Sequence, residues 1–172
     1  MAITPDTKNW TWVLEAPCPQ CGFDATTFSE TDVPALVRAN AAHWPAVLRR
    51  PDVAVRPDDS TWSALEYAAH VRDVFGVFAT RLTLMLEEDD PPFADWDQDE
   101  TAVSERYNEQ DSATVASQLS DAAEHIAAVI DAVPADAWQR TGLRSDGARF
   151  TVASLAKYFI HDPTHHLWDV RG

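Results

Sequence analysis

From Thr61 to about Glu88 the chain runs without a proline and with a single glycine. Within it, Val71, Phe75, Phe78, Leu82 and Met85 follow one another at intervals of four, three, four and three. That spacing lays five large apolar side chains along one stripe of an α-helix roughly 40 Å long. A stripe of this kind has to be buried against other elements of the fold.

Partners for it are present. The segment TDVPALVRANAAHWPAVLRR opens with Thr31 or Asp32 as a cap and Pro34 in its first turn, the signature of a helix start. A third helix is expected from about Ser112 to Ala132, with Val115, Leu119, Ala122, Ile126, Val129 and Val133 as its stripe. A fourth begins at a Thr151 cap. No strand pattern and no internal repeat is visible, so the sequence predicts an all-α four-helix bundle. Residues 51–60 form a loop. Two further connections, 89–110 and 134–150, are long and leave the helix order open, the first with room for one short helical turn. Residues 1–30, with prolines, a glycine and both cysteines, read as an irregular N-terminal arm, and residues 31–172 as the bundle domain.

At 172 residues the chain suits one domain with a sizeable core. Its formal net charge of −15 opposes nucleic acid and anionic membranes as partners. No apolar run approaches the roughly 20 residues of a membrane helix. MAITPDTKNW lacks the basic and apolar regions of a secretory signal. The expectation is a cytoplasmic protein with mostly reduced cysteines.

Chemistry concentrates near the end, in FIHDPTHHLWDV. His161 and His165 are four apart and share one helix face, whereas His166 points about 100° away. Tyr158, His161, His165 and Trp168 form a stripe with core spacing, and Val152, Leu155, Ala156 and Phe159 line another side. Imidazoles buried there need partners, and a metal is one such partner. A histidine pair alone is a common pattern, so a third ligand is required. His70, at the flank of the long stripe beside Tyr67 and Val74, fits best; His43 and His125 fit less well. Three neutral imidazoles suit Zn²⁺, Ni²⁺ or Fe²⁺ and leave positions open for water or substrate. Asp162 and Asp169 are placed to hold a histidine N–H. Pro163 either ends the helix early or bends it at the site.

WSALEYAAHVRD, followed about 90 residues later by HDPTHHLWD, resembles the DinB-like superfamily, which includes the DinB/YfiT-like metalloenzymes and the mycothiol-dependent maleylpyruvate isomerases. That pattern has one histidine on the second helix and an HxxxH on the last, matched here by His70, His161 and His165. The resemblance spans about residues 31–170. It implies a bundle that is often dimeric, a divalent metal near one end (zinc foremost, nickel or iron otherwise) and, for several members, a low-molecular-weight thiol as nucleophile. Arginine far outnumbers lysine, as in a GC-rich bacterium, which favours mycothiol as that thiol. The function the resemblance implies is thus a metal-dependent transferase or isomerase that joins a small thiol to an electrophilic substrate, with a homodimer as the assembly it allows. The alternatives are a hydrolase activating water and a non-enzymatic metal-binding stress or scaffold protein. Glu66, one turn before His70, is a candidate base or supporting partner, and Arg106 and Tyr107, in the acidic linker with Trp96 and Asn108, are candidate substrate contacts.

CPQCG, with Cys18 and Cys21, looks like one knuckle of a zinc ribbon, yet no second CxxC exists. A reduced structural pair, half of a zinc site completed by histidines or across a dimer, a redox pair, and a thiol-exchange role at the mouth of the metal site all stay open.

Overall fold

In the computed structural model, which describes residue 3 and residues 9–171, the long stripe becomes α2 (Ala64–Glu87). Its start is closed reciprocally: Ser63 Oγ accepts from the Glu66 N–H (3.3 Å), and the Glu66 carboxylate accepts from the Ser63 N–H (2.8 Å). All five stripe residues are buried. Each contributes about 1.5–3 kcal/mol of apolar transfer free energy relative to exposure.

α1 (Val33–Leu48) carries Pro34 in its first turn, as expected. α4 (Ser112–Asp131) is capped by Asp111, which accepts from the Thr114 N–H at 2.8 Å. Its buried face is Val115, Leu119, Ala123, Ile126, Ala127 and Ile130, while Ala122, Val129 and Val133 are only partly covered. The face is turned from the expected stripe because α1 and α2 both lie along α4, one on each side. The last helix closes the bundle against α2 and α1, which have little contact with each other. α1 and α2 therefore sit across the bundle from each other, as do α4 and the last helix, while α2 and α4 are neighbours.

That last helix is broken in two, α5 (Val152–Phe159) and α6 (His161–Asp169). Thr151 caps α5, accepting from the Ser154 N–H at 3.0 Å. Pro163 has no N–H and its ring crowds the carbonyl four residues earlier, that of Phe159. The chain ends α5 there and restarts, leaving Pro163 in the first turn of α6, where no N–H is needed. Asn40 of α1 donates to the Pro163 carbonyl at 2.8 Å and accepts from Trp44 Nε1 at 3.0 Å. The break interrupts the expected stripe: Tyr158 remains beside the bundle, but Trp168 is exposed.

Both long connections hold structure. Between α2 and α4 lies α3 (Gln98–Ser104), capped by Asp97, and a 3-10 turn at Tyr107–Glu109. Residues 134–150, expected as a loop, run into an antiparallel hairpin of β1 (Thr141–Leu143) and β2 (Arg149–Thr151). Strands this short display no alternation for a sequence to reveal. The hairpin is pressed against Phe93 and Met85 so closely that a Cβ on Gly142 would meet them at 2.6–2.9 Å.

The arm shares the bundle's core through Val13, Cys18, Phe23 and Ala25, and its 3-10 turn at Thr11–Leu14 rests on α5. Residues 1, 2 and 4–8, most of the stretch expected to lack a secretory signal, lie outside the described residues, as does Gly172. No described helix is long and apolar enough to cross a membrane.

Candidate functional site

A helix turns about 100° per residue, so residues 161 and 165 share one face of α6 and residues 162 and 166 the next. The first face meets the arm and the second meets α2. His161 and His165 therefore gather with Cys18 and Cys21, one donor atom from each lying within 4.8 Å of all the others. His70, Asp162 and His166 form a second group of the same tightness. The structure thus divides the expected His70, His161 and His165 set between two clusters. The break before His161 frees α6 to present adjacent faces to different partners, and His166, expected to point away, is the one that joins His70.

His70 is fully buried. Its Nε2 lies 3.3 Å from Asp162 Oδ1, and His166 Nε2 lies 3.6 Å from the same oxygen. The His70 ring is stacked on Trp96 (centroids 5.7 Å apart, planes 7° apart) and flanked by Trp62 at 5.2 Å. His166 Nδ1 is 2.8 Å from Asp169 Oδ2. A carboxylate only accepts, so Nδ1 carries a proton, and Nε2 is the atom left facing Asp162. Burial pushes the Asp162 carboxyl up, but His166 and His70 outweigh it and bring the group down to about 2. Asp162 is thus a carboxylate, with 33% of its side chain exposed. Two buried atoms here, Asp162 Oδ1 and His70 Nδ1, lack a hydrogen-bond partner among the described residues. Two imidazoles and a carboxylate with an unused buried oxygen fit a divalent cation with positions left open.

Asp162 and His166 face a cleft of about 770 Å³, walled by Trp62, Tyr67, Trp96 and Tyr158. Two arginines also line it. Arg81 spans the rings of Phe78 and Phe93 and has no carboxylate within ion-pair distance among the described residues. Arg144, delivered by the hairpin, donates to Tyr158 Oη at 3.0 Å and pairs with Asp146. Asp95, Asp97, Asp99, Asp146, Asp162 and Asp169 line the same cleft, so Arg81 is a local cationic group set in an acidic lining.

In the other cluster Cys18 Sγ lies 3.6 Å from His165 Nδ1. Burial, and then the neighbouring His165, push His161 down to about 4, leaving it neutral. Burial also pushes the Cys21 thiol up to about 11, helped by Cys18.

The remaining candidates have other roles. Glu66 is buried and held by Ser63 and by an ion pair with Arg56; it is the far half of the α2 cap and is not in the cleft. Arg106 is exposed and paired with Glu109. Tyr107 is fully buried, donating to Asp73. Neither lines the cleft, because the 3-10 turn directs Tyr107 into the core and Arg106 to solvent. His43 and His125 are exposed and belong to neither cluster. Trp96 of the linker does reach the site. Sequence reasoning passed over Asp162 with His166 as ligands, although they repeat the four-residue spacing one position on. Arg81 and Arg144 left no signal, since only the hairpin and α2 bring them together.

The DinB superfamily profile matches residues 35–170. Among solved structures, YfiT from Bacillus subtilis superposes with a TM-score of 0.68 at 15% identity, over 97% of this chain and 89% of that one. YfiT has been described as a probable metal-dependent hydrolase with an unusual four-helix bundle topology. At that identity the likeness establishes the fold alone. No curated protein matches the sequence.

Proposed function

This chain belongs to the DinB superfamily, and on that footing we propose that it is a divalent-metal-dependent enzyme whose ligands are His70, Asp162 and His166. Its nucleophile is a low-molecular-weight thiol of the mycothiol kind, transferred to a small electrophilic substrate in the cleft. The observation that carries this reading is the unpartnered Asp162 Oδ1, set between two imidazole nitrogens at the wall of a cleft of about 770 Å³.

When bound, a divalent cation lowers the pKa of a thiol or water at an open coordination position and polarises the bond under attack. The protein's own groups do the rest. Trp62 and Trp96 fix the His70 ring, and Asp169 fixes the tautomer and direction of His166. Arg81, with Arg144 beyond it, holds an anionic group of the thiol or substrate. Trp62, Tyr67 and Trp96 present apolar surface that excludes bulk water.

A second reading, hydrolysis with water as nucleophile, is favoured by the description of YfiT and uses the same residues. Protein reconstituted with Zn²⁺, Ni²⁺ or Fe²⁺ separates the two when assayed against thiols plus electrophiles and against esters and amides. Turnover that requires the thiol supports transfer. Turnover without it selects hydrolysis. No turnover with any metal leaves the bundle as a binding protein.

A further inference from the structure

The geometry points to a second, closed metal site: Cys18, Cys21, His161 and His165 hold a zinc ion that clamps the N-terminal arm onto α6. This inference does not depend on the enzymatic reading above.

Four donors converge, one from each residue, all within 4.8 Å of one another. With zinc–sulfur bonds near 2.3 Å and zinc–nitrogen bonds near 2.0–2.1 Å, neighbouring donors of a tetrahedral site lie about 3.3–3.8 Å apart. The separation of 3.6 Å between Cys18 Sγ and His165 Nδ1 already falls in that range. The arm is shaped for the purpose. The Cys18 N–H donates to the Phe23 carbonyl at 2.8 Å, and the Gly22 N–H donates to the Cys18 carbonyl at 2.9 Å. Gly22, at φ +75°, makes the reversal that a side chain would resist.

His161 supplies an independent pointer. It is 5% exposed, and its Nε2 has no hydrogen-bond partner among the described residues. A buried imidazole nitrogen is rarely left so. Trp10 and Phe23 wall the cluster in, each with its ring 5.2 Å from that of His161. Four protein donors leave no position for water or substrate, which marks a structural site, and two thiolates balance the charge of the ion.

The clamp has a consequence for the cleft. Pro163 uncouples α6 from α5, so the direction of α6 must be fixed by other contacts. Asn40 supplies one through the Pro163 carbonyl, Arg50 another through the Val170 carbonyl, and the knuckle a third. The adjacent face of α6 carries Asp162 and His166, and Asn9, Trp10 and Gln20 of the clamped arm line the cleft.

The test is metal analysis and spectroscopy on the full, untagged chain. Cobalt(II) loaded in place of zinc is expected to give thiolate-to-cobalt absorption with tetrahedral ligand-field bands. Zinc is expected to protect both thiols from a thiol reagent until a chelator is added. A Cys18→Ser, Cys21→Ser double variant is expected to lose about one metal equivalent and all the thiolate absorption. His166→Ala keeps the absorption. If His166→Ala loses no metal while the cysteine variant loses all of it, the clamp stands and the proposed catalytic site fails. Wild-type protein without thiolate-to-cobalt absorption, or with thiols equally reactive before and after chelation, overturns the clamp. Both readouts use the unaltered chain, so a double variant that misfolds does not shelter the proposal.

Discussion

Two neighbouring faces of α6, one residue apart in sequence, both border the cleft yet gather different donors. The His161/His165 face meets two cysteines of a distant arm under an aromatic cover. The Asp162/His166 face meets a helix histidine and opens on a cleft with two arginines. Sulfur donors and a full set of four favour a closed structural site; a carboxylate and a set of three favour an open, reactive one. The same four-residue spacing thus serves two kinds of chemistry, and the partner element decides which.

Adjacent substitutions break that comparison most sharply. His166→Ala is expected to abolish turnover, by more than the ~10–100-fold typical of an outer partner, and to leave the Tm within a few degrees. His165→Ala is expected to act on stability. A zinc site at about a thousandfold over its Kd stabilises by about 4 kcal/mol, so the Tm should fall by roughly 8–16 °C. Steady-state kinetics beside calorimetry on the two variants decides the matter; equal losses of activity and Tm in both would dissolve the distinction.

Asp169→Asn sharpens the open side. It replaces the carboxylate that orients His166 with a neutral amide, whose oxygen accepts more weakly, and should cost about 10–100-fold in metal affinity or turnover. Metal titration should place that loss in the cleft site, with thiolate-to-cobalt absorption unchanged.

Glu66→Gln sits one turn from His70 and should nevertheless spare catalysis. Its expected cost is about 1–2 kcal/mol of stability, from the α2 cap and the Arg56 pair. Burial raises the Glu66 carboxyl, but Arg56 and Ser63 more than compensate and hold it below its usual 4.5. Its contribution is therefore fully present above about pH 4.5 and is lost as the pH falls through the lower folded value. Denaturation of wild type and variant across that window should show their difference shrinking on acidification. A large loss of kcat in this variant would return Glu66 to the site.

The smallest effect belongs to Arg106→Ala. Exposed and paired with Glu109, it should change stability by less than about 0.5 kcal/mol and leave KM untouched. A KM rise of several-fold would bring the linker into substrate binding, whereas Arg81→Gln should raise KM if the cleft takes an anion.

Much of the scaffold was legible because helical periodicity is a local property. The stripe from Val71 to Met85, the Pro34 start and the Thr151 cap each depend on residues within a few turns, and each appears where the sequence places it. The helix expected from Thr61 starts instead at Ala64, after a Ser63/Glu66 capping box that sequence reasoning passed over, and that pattern explains Glu66 better than proximity to His70 does. The turned face of α4 was not legible, because a helix with neighbours on two sides buries more than one stripe. Nor was the hairpin, whose strands are too short to show a period.

The sequence by itself determined an α-helical bundle, a cluster of histidines near its end and a proline set among them, since these follow from spacing and backbone chemistry along a few residues. Only the tertiary structure decided which histidine meets which partner. Cys18 and His165 are 147 positions apart and His70 and Asp162 are 92. No periodicity reaches that far; the packing of the arm and α2 on adjacent faces of α6 assigns the faces.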